Sequence, residues 1–234
     1  SRKQQLTDTV QRVENHPALL VWEGPDEILW NNWWGTMEQI RPEIEKMRTT
    51  AQGKTELETL SRRARDRFER GLYTEFEKAR AEFWLKAGQP SPNPSVRIDD
   101  AALRVRKSGE GITAGIQTVR ALDSRHVIWL NHAPRNSLDD LRLYNRAADM
   151  VGCDIYPVKK NDRKVEKMAG ATDRWMQIAK GKPVWMVMQA FSWDEVGAEY
   201  VDRGNAYPTF AESRFMAYDV IAHGAKGILY WGST

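Results

Sequence analysis

Two adjacent carboxylates, Asp26 and Glu27, follow an apolar run and a Gly-Pro step in HPALLVWEGPDEILWNNWW, residues 16–34. Neighbouring like charges repel, and burying either is costly without a partner. Such a pair suits a site where one acid keeps its proton while the other stays ionised. Trp30, Trp33 and Trp34 follow at once, and the chain holds ten tryptophans in all. Flat apolar rings of that kind serve large cores and sugar-binding surfaces alike. Further along, short apolar runs end in Asn131 and His132, in Asp154 and Tyr156, in Gln189 with Trp193 just beyond, and in Trp231 before Gly232 and Ser233. This set is rich in carboxylates, amides and aromatics. It has no glycine-rich phosphate loop, no HExxH pair and no nucleophile elbow. It points to glycoside chemistry, in which a carboxylic acid protonates the leaving oxygen and negative charge stabilises an oxocarbenium-like transition state. No cofactor is called for, and the acids and histidines show no metal-ligand spacing.

Each of these residues also has a plainer use. Glu27 could sit at a helix N-terminus, favoured by the dipole, and Asp26 could cap that helix. Asp154 could accept backbone hydrogen bonds in the turn before Pro157, and Gln189 could be a packed strand end. Trp193 and Trp231 could be buried barrel tryptophans, and Trp33 and Trp34 could only pin a neighbouring segment. Asp194 and Glu195 are fallback nucleophiles. Glu212 with Arg214 reads as a first-turn ion pair, and His16 and His223 as turn or cap residues.

The elements that must position these groups are legible as alternation. The runs ALLVW (18–22), HVIWL (126–130), MVGCDIY (150–156), PVWMVM (183–188) and GILYW (227–231) are continuous apolar blocks, as expected of parallel strands covered on both faces. Amphipathic stretches over 39–50, 56–88, 109–122, 138–148, 163–180 and 208–223 lie between them. The pattern predicts an α/β fold with a parallel sheet, its site at the carboxyl ends of the strands. The segment 37–108 is too long for one crossover. It reads as a helical insertion, with a Pro-rich break at GQPSPNPS (88–95), within a single domain spanning 1–234.

Composition narrows the function classes. The formal charge is +3 over 234 residues, and the basic side chains are interleaved with acids, so a nucleic-acid role is not expected. No run is apolar enough for a membrane span. The single cysteine, Cys153, excludes an internal disulfide framework. No signal peptide is visible; a secreted or periplasmic location is favoured if one has been removed.

HPALLVWEGPDE resembles the fourth strand of (β/α)8 glycoside hydrolases, where a His-Pro and an apolar strand lead to an acid/base glutamate. ALDSRHVIWLNHAP resembles the next unit, ADMVGCDIYPV the sixth strand, GKPVWMVMQAF the seventh, and YPTFAESRFMAYDVIAHGAKGILYWGS the seventh helix and eighth strand. The combination is most similar to poorly characterised bacterial glycosidase-like proteins of the TIM-barrel type. The resemblance implies that strands four to eight are present, with a missing N-terminal segment or a partner chain completing the barrel. It implies Glu27 as acid/base, acting on a carbohydrate. Asp26 stands where the largest clan has asparagine, and Gln189 stands where that clan has its nucleophilic glutamate. The Asp-Glu pair is similar instead to substrate-assisted N-acetylhexosaminidases, in which the aspartate orients the acetamido group. Asp154, Tyr156, Gln189, Trp193, Trp231, Asn131 and His132 are the expected sugar contacts. The alternative is a non-catalytic barrel that binds carbohydrate or protein.

Overall fold

The computed structural model describes residues 1–134, 136–197, 204 and 206–232; Ser233, read above as a strand-end residue, lies outside them. The chain forms two compact units, one of residues 1–29 and 109–234 and the other of residues 30–108.

The first unit is built on a parallel sheet. Helix α1 (Arg2–Val13) begins at Ser1, whose hydroxyl accepts from the Gln4 N–H. Strand β1 (Val21–Glu23) is shorter than its apolar run, since Ala18 to Leu20 precede it and Leu20 is exposed. β2 (Val127–His132), β3 (Met150–Asp154), β6 (Val184–Gln189) and β7 (Gly227–Trp231) complete a sheet of order β1-β2-β3-β6-β7, every pair parallel. A small hairpin, β4 (Val158–Lys159) with β5 (Asp162–Arg163), follows β3. Helices α6 (Leu138–Asn145), α7 (Lys167–Ala179) and α8 (Phe210–Ala222) make the crossovers. The strand-helix alternation is the parallel α/β arrangement that the apolar runs predict. No described helix is long and apolar enough to cross a membrane.

Side-chain alternation divides each strand between two faces. Trp129, Met150 and Val187 form a buried cluster with Val21, Tyr156, Trp185 and Leu229 packed against it. Two glycines make room for the indoles. A Cβ on Gly152 would lie 2.3 Å from Trp129 Nε1, and one on Gly227 would lie 2.5 Å from Trp185 Nε1. At the start of β1, Trp22 Nε1 donates to Asp123 at 2.9 Å, and Asp123 also accepts from the Arg125 and His126 backbones and faces His126 Nδ1 at 2.6 Å. Burial works against that carboxylate, yet these hydrogen bonds hold it below the usual range.

The second unit is helical. It takes in most of α2 (Ile28–Ala51), all of α3 (Thr55–Glu69) and α4 (Tyr73–Ala87), and the first turns of α5 (Ile98–Leu122). The amphipathic stretch 56–88 is two helices because Gly71, at φ 70°, turns the chain between them. Its charges are organised inside. Arg80 donates to both Glu43 oxygens at 2.7 Å, to Glu77 at 3.0 Å, and to the Asn93 and Val96 carbonyls at 2.6 Å. Trp84 Nε1 and Ser91 Oγ add bonds to Glu43, so the Pro-rich segment is tied to its own unit's helices.

Candidate active site

The chain leaves β1 with the Gly24 N–H donating to the Trp129 carbonyl at 2.9 Å. It then turns through Pro25 and Asp26 to Glu27, whose N–H reaches the Asn131 carbonyl at 3.3 Å. Glu27 has φ 45°, a left-handed conformation that costs a non-glycine residue about 1 kcal/mol or more and is concentrated at functional sites. α2 starts at the next residue.

Asn131 occupies the centre of the arrangement, on the inner face at the end of β2. Its Nδ2 donates to Asp26 Oδ1 at 3.0 Å and to Asp154 Oδ1 at 3.4 Å. Asp154, buried at the end of β3, hydrogen-bonds the Glu27 side chain. The protonation of Glu27 follows from this setting. Burial first, then the charge and hydrogen bond of Asp154, then the charge of Asp26, push its carboxyl up to about 8. Glu27 does stand at the N-terminus of α2, whose dipole favours the ionised form, so burial and the neighbouring acids outweigh the dipole here. Burial also raises Asp154, but the bond from Glu27 and those from its own backbone N–H and Asn131 favour its ionised form. Glu27 therefore carries the proton and Asp154 the charge. Glu23, at the mouth, is raised by burial and by Asp26.

An aromatic shelf adjoins the acids. Tyr156 stacks on Trp231 with ring centres 5.6 Å apart, and Phe191 meets both edge-on at 4.9 and 4.8 Å. Trp193 is buried behind, 6.1 Å from Tyr156 and 5.2 Å from Phe191. Trp231 is 48% exposed. Burial first, then the neighbouring acids led by Asp154, raise the Tyr156 phenol and keep it neutral. Acids and shelf thus belong to one place.

The sequence matches the Glyco_hydro_42 family, described as beta-galactosidase, over residues 3–232. The chain belongs to glycoside hydrolase family 42. No curated protein matches it. Among solved structures it is similar to the β-galactosidase of the psychrophilic Marinomonas ef1, with TM-score 0.56 and 14% identity over 98% of this chain and 36% of that one. It is also similar to the cold-adapted β-galactosidase of Rahnella sp. R3, with TM-score 0.55 and 14% identity over 97% of this chain and 32% of that one. The likeness is one of fold, and the chain spans about a third of those enzymes' length.

Three expectations about side chains in this family 42 chain need correction. His132 does not face a sugar. It follows Asn131 on the strand and so points the opposite way, fully buried, stacked 6.0 Å from Trp175 of α7 and edge-on to Tyr144 of α6. Burial there lowers it to about 4 and keeps it neutral. Gln189 is not free for substrate either. Its Oε1 accepts from the Val158 N–H at 2.9 Å, and its Nε2 donates to the Val158 and Phe191 carbonyls at 2.9 and 3.1 Å. Glu212 pairs with Arg163 of β5 rather than with Arg214, and this contact first of all lowers it to about 2.

The fallback acids Asp194 and Glu195 are taken up in a short 3-10 turn (Trp193–Glu195). Ser192 donates its hydroxyl to Asp194 and its N–H to Glu195, and Tyr207 donates its hydroxyl to Glu195. Trp33 and Trp34 lie in the second unit, against Tyr73 and Trp30 respectively. Sequence reasoning places Glu23 at a strand end with the other candidates but gives it no role, and it missed Phe191. Both lie at strand ends already singled out, and period-two alternation puts Glu23 on the same face of β1 as the core residue Val21. No group of three or more potential metal ligands occurs among the described residues.

Proposed function

We propose that the chain carries the catalytic centre of a glycosidase that hydrolyses O-glycosyl bonds, with Glu27 as general acid and then base. The feature that carries this reading is the half-buried Glu27 carboxyl, pushed up to about 8 by burial and by buried Asp154, beside the exposed Trp231 at the carboxyl ends of the strands. Family membership agrees with it, and the described fold fits strands four to eight of an eight-stranded barrel. The family description makes a β-galactoside the reference substrate.

The Glu27 and Asp154 side chains act directly on each other. A sugar entering the site must therefore replace the Glu27–Asp154 bond. Glu27 then gives its proton to the glycosidic oxygen as the C–O bond breaks toward that oxygen. Asp154 is left ionised facing the developing positive charge, and water adds to the sugar as its proton returns to Glu27. Asp26, held by Asn131, supports the same charge; a substrate's own acetamido oxygen could instead attack, with Asp26 orienting it. Comparing hydrolysis of acetamido and hydroxyl glycosides separates those routes. In either, Glu27→Gln removes the transferable proton, so hydrolysis of unactivated glycosides is lost in a variant that keeps its circular dichroism. Retained turnover overturns the assignment. A specific observation favours a second reading, sugar binding without turnover. Gln189, where a nucleophile would stand, is committed to the backbone of Val158 and Phe191. Sugar-dependent tryptophan quenching without product would select it.

A further inference from the structure

The site that the glycosidase reading identifies gathers four carboxyl groups. Glu23 and Asp26 stand exposed at its mouth, Glu27 is half-buried, and Asp154 is buried. This concentration is not inherited from the composition, because the chain as a whole carries a formal charge of +3. Burial and the neighbouring acids lead the influences that raise Glu27, Asp154 and Tyr156.

An independent feature of the same place asks for a donor. Asn131 is only 5% exposed, and its amide is turned into the acids, with one nitrogen serving both Asp26 and Asp154. Its Oδ1, buried alongside, has no partner among the described residues. A buried acceptor without a donor is costly, and a ligand N–H or O–H would remove the cost. The half-exposed Trp231, stacked on Tyr156, supplies the third element, since an aromatic face attracts a cation as well as the C–H face of a sugar.

We infer that this site takes a cationic amino sugar, a pyranoside with a free ammonium group, whose N–H donors meet Asp26, Asp154 and Asn131 Oδ1 while its ring lies on Trp231. The inference rests on the glycosidase reading for the place of the sugar, but its test is separable. Galactosamine, N-acetylgalactosamine and galactose are titrated against the whole chain at about pH 6, where the sugar amine is charged, with tryptophan fluorescence as the readout. Charge-assisted hydrogen bonds imply that galactosamine binds at least about tenfold tighter than galactose. That preference collapses in Asp26→Asn. Equal binding of galactosamine and galactose overturns the inference while leaving the glycosidase reading intact. Tighter binding of the acetamido sugar than of the amine overturns it in favour of substrate assistance. A galactosamine preference with no cleavage of any aryl glycoside supports the inference and removes the glycosidase reading instead.

Discussion

Replacing Asp154 by Asn probes the proton at Glu27 directly. The rise of Glu27 from an ordinary 4.5 to about 8 has burial as its leading cause, followed by the charge and hydrogen bond of Asp154 and the charge of Asp26. Asparagine removes the charge but keeps an oxygen that can accept the Glu27 proton. Removing one close like charge lowers a carboxyl by about one to two pH units, and burial keeps the remainder elevated. The alkaline limb of kcat/KM, which reports the free enzyme's acid, should therefore move from near 8 to about 6.5. At pH 7.5 this shift alone costs about eightfold through the protonated fraction of Glu27, taking 8 and 6.5 as the two values. At pH 5, where both forms are protonated, any further loss measures what the Asp154 charge contributes to the transition state. The assay is the pH dependence of kcat/KM for an aryl glycoside in both proteins. An alkaline limb that stays put or moves upward refutes the contribution of Asp154.

Other consequences follow from the same structure. A carboxyl raised in the fold contributes stability that is full below 4.5 and is lost as the pH rises through about 8. Glu27→Gln should thus melt higher than the parent above pH 8, by about 2 kcal/mol after allowing for solvent screening, and no higher near pH 4; thermal melts at the two pH values check the sign. Arg80→Ala leaves Glu43 and Glu77 buried without their cation and should cost the helical unit about 3–5 kcal/mol in urea unfolding. Gly152→Ala forces Trp129 aside and should cost about 1–3 kcal/mol, visible as a lower melting temperature. Gln189→Glu should not create a nucleophile. It sets an acid against the Val158 and Phe191 carbonyls, so the melting temperature falls and aryl-glycoside turnover does not rise.

The strands were legible because continuous apolar blocks such as HVIWL and PVWMVM have few other uses. Their carboxyl ends brought Asp26, Glu27, Asn131, Asp154, Tyr156 and Trp231 into view together. What the sequence hid was direction and partnership. Asn131 and His132 are neighbours on one strand, yet alternation sends one to the acids and the other between Tyr144 and Trp175. A strand buried on both faces has no polar side to reveal which is which. Gln189 has the right position for a site amide, but the hairpin that consumes its amide is a two-residue ladder without a pattern of its own. The pairing of Glu212 with Arg163 spans 49 residues, beyond any local rule of spacing. Phe191 carries no chemical signal of its own, and only three-dimensional packing places it against Tyr156 and Trp231.

The central claim is that Glu27 holds a proton near neutral pH because burial, and then the charge of Asp154, raise its carboxyl. Carbon-13 labelling of the glutamate carboxyls, with Glu27→Gln to assign the resonance, reads that proton without any substrate. The account predicts a Glu27 carboxyl that titrates near 8 and moves down in Asp154→Asn. A Glu27 carboxyl that titrates near 4.5 in both proteins would contradict it.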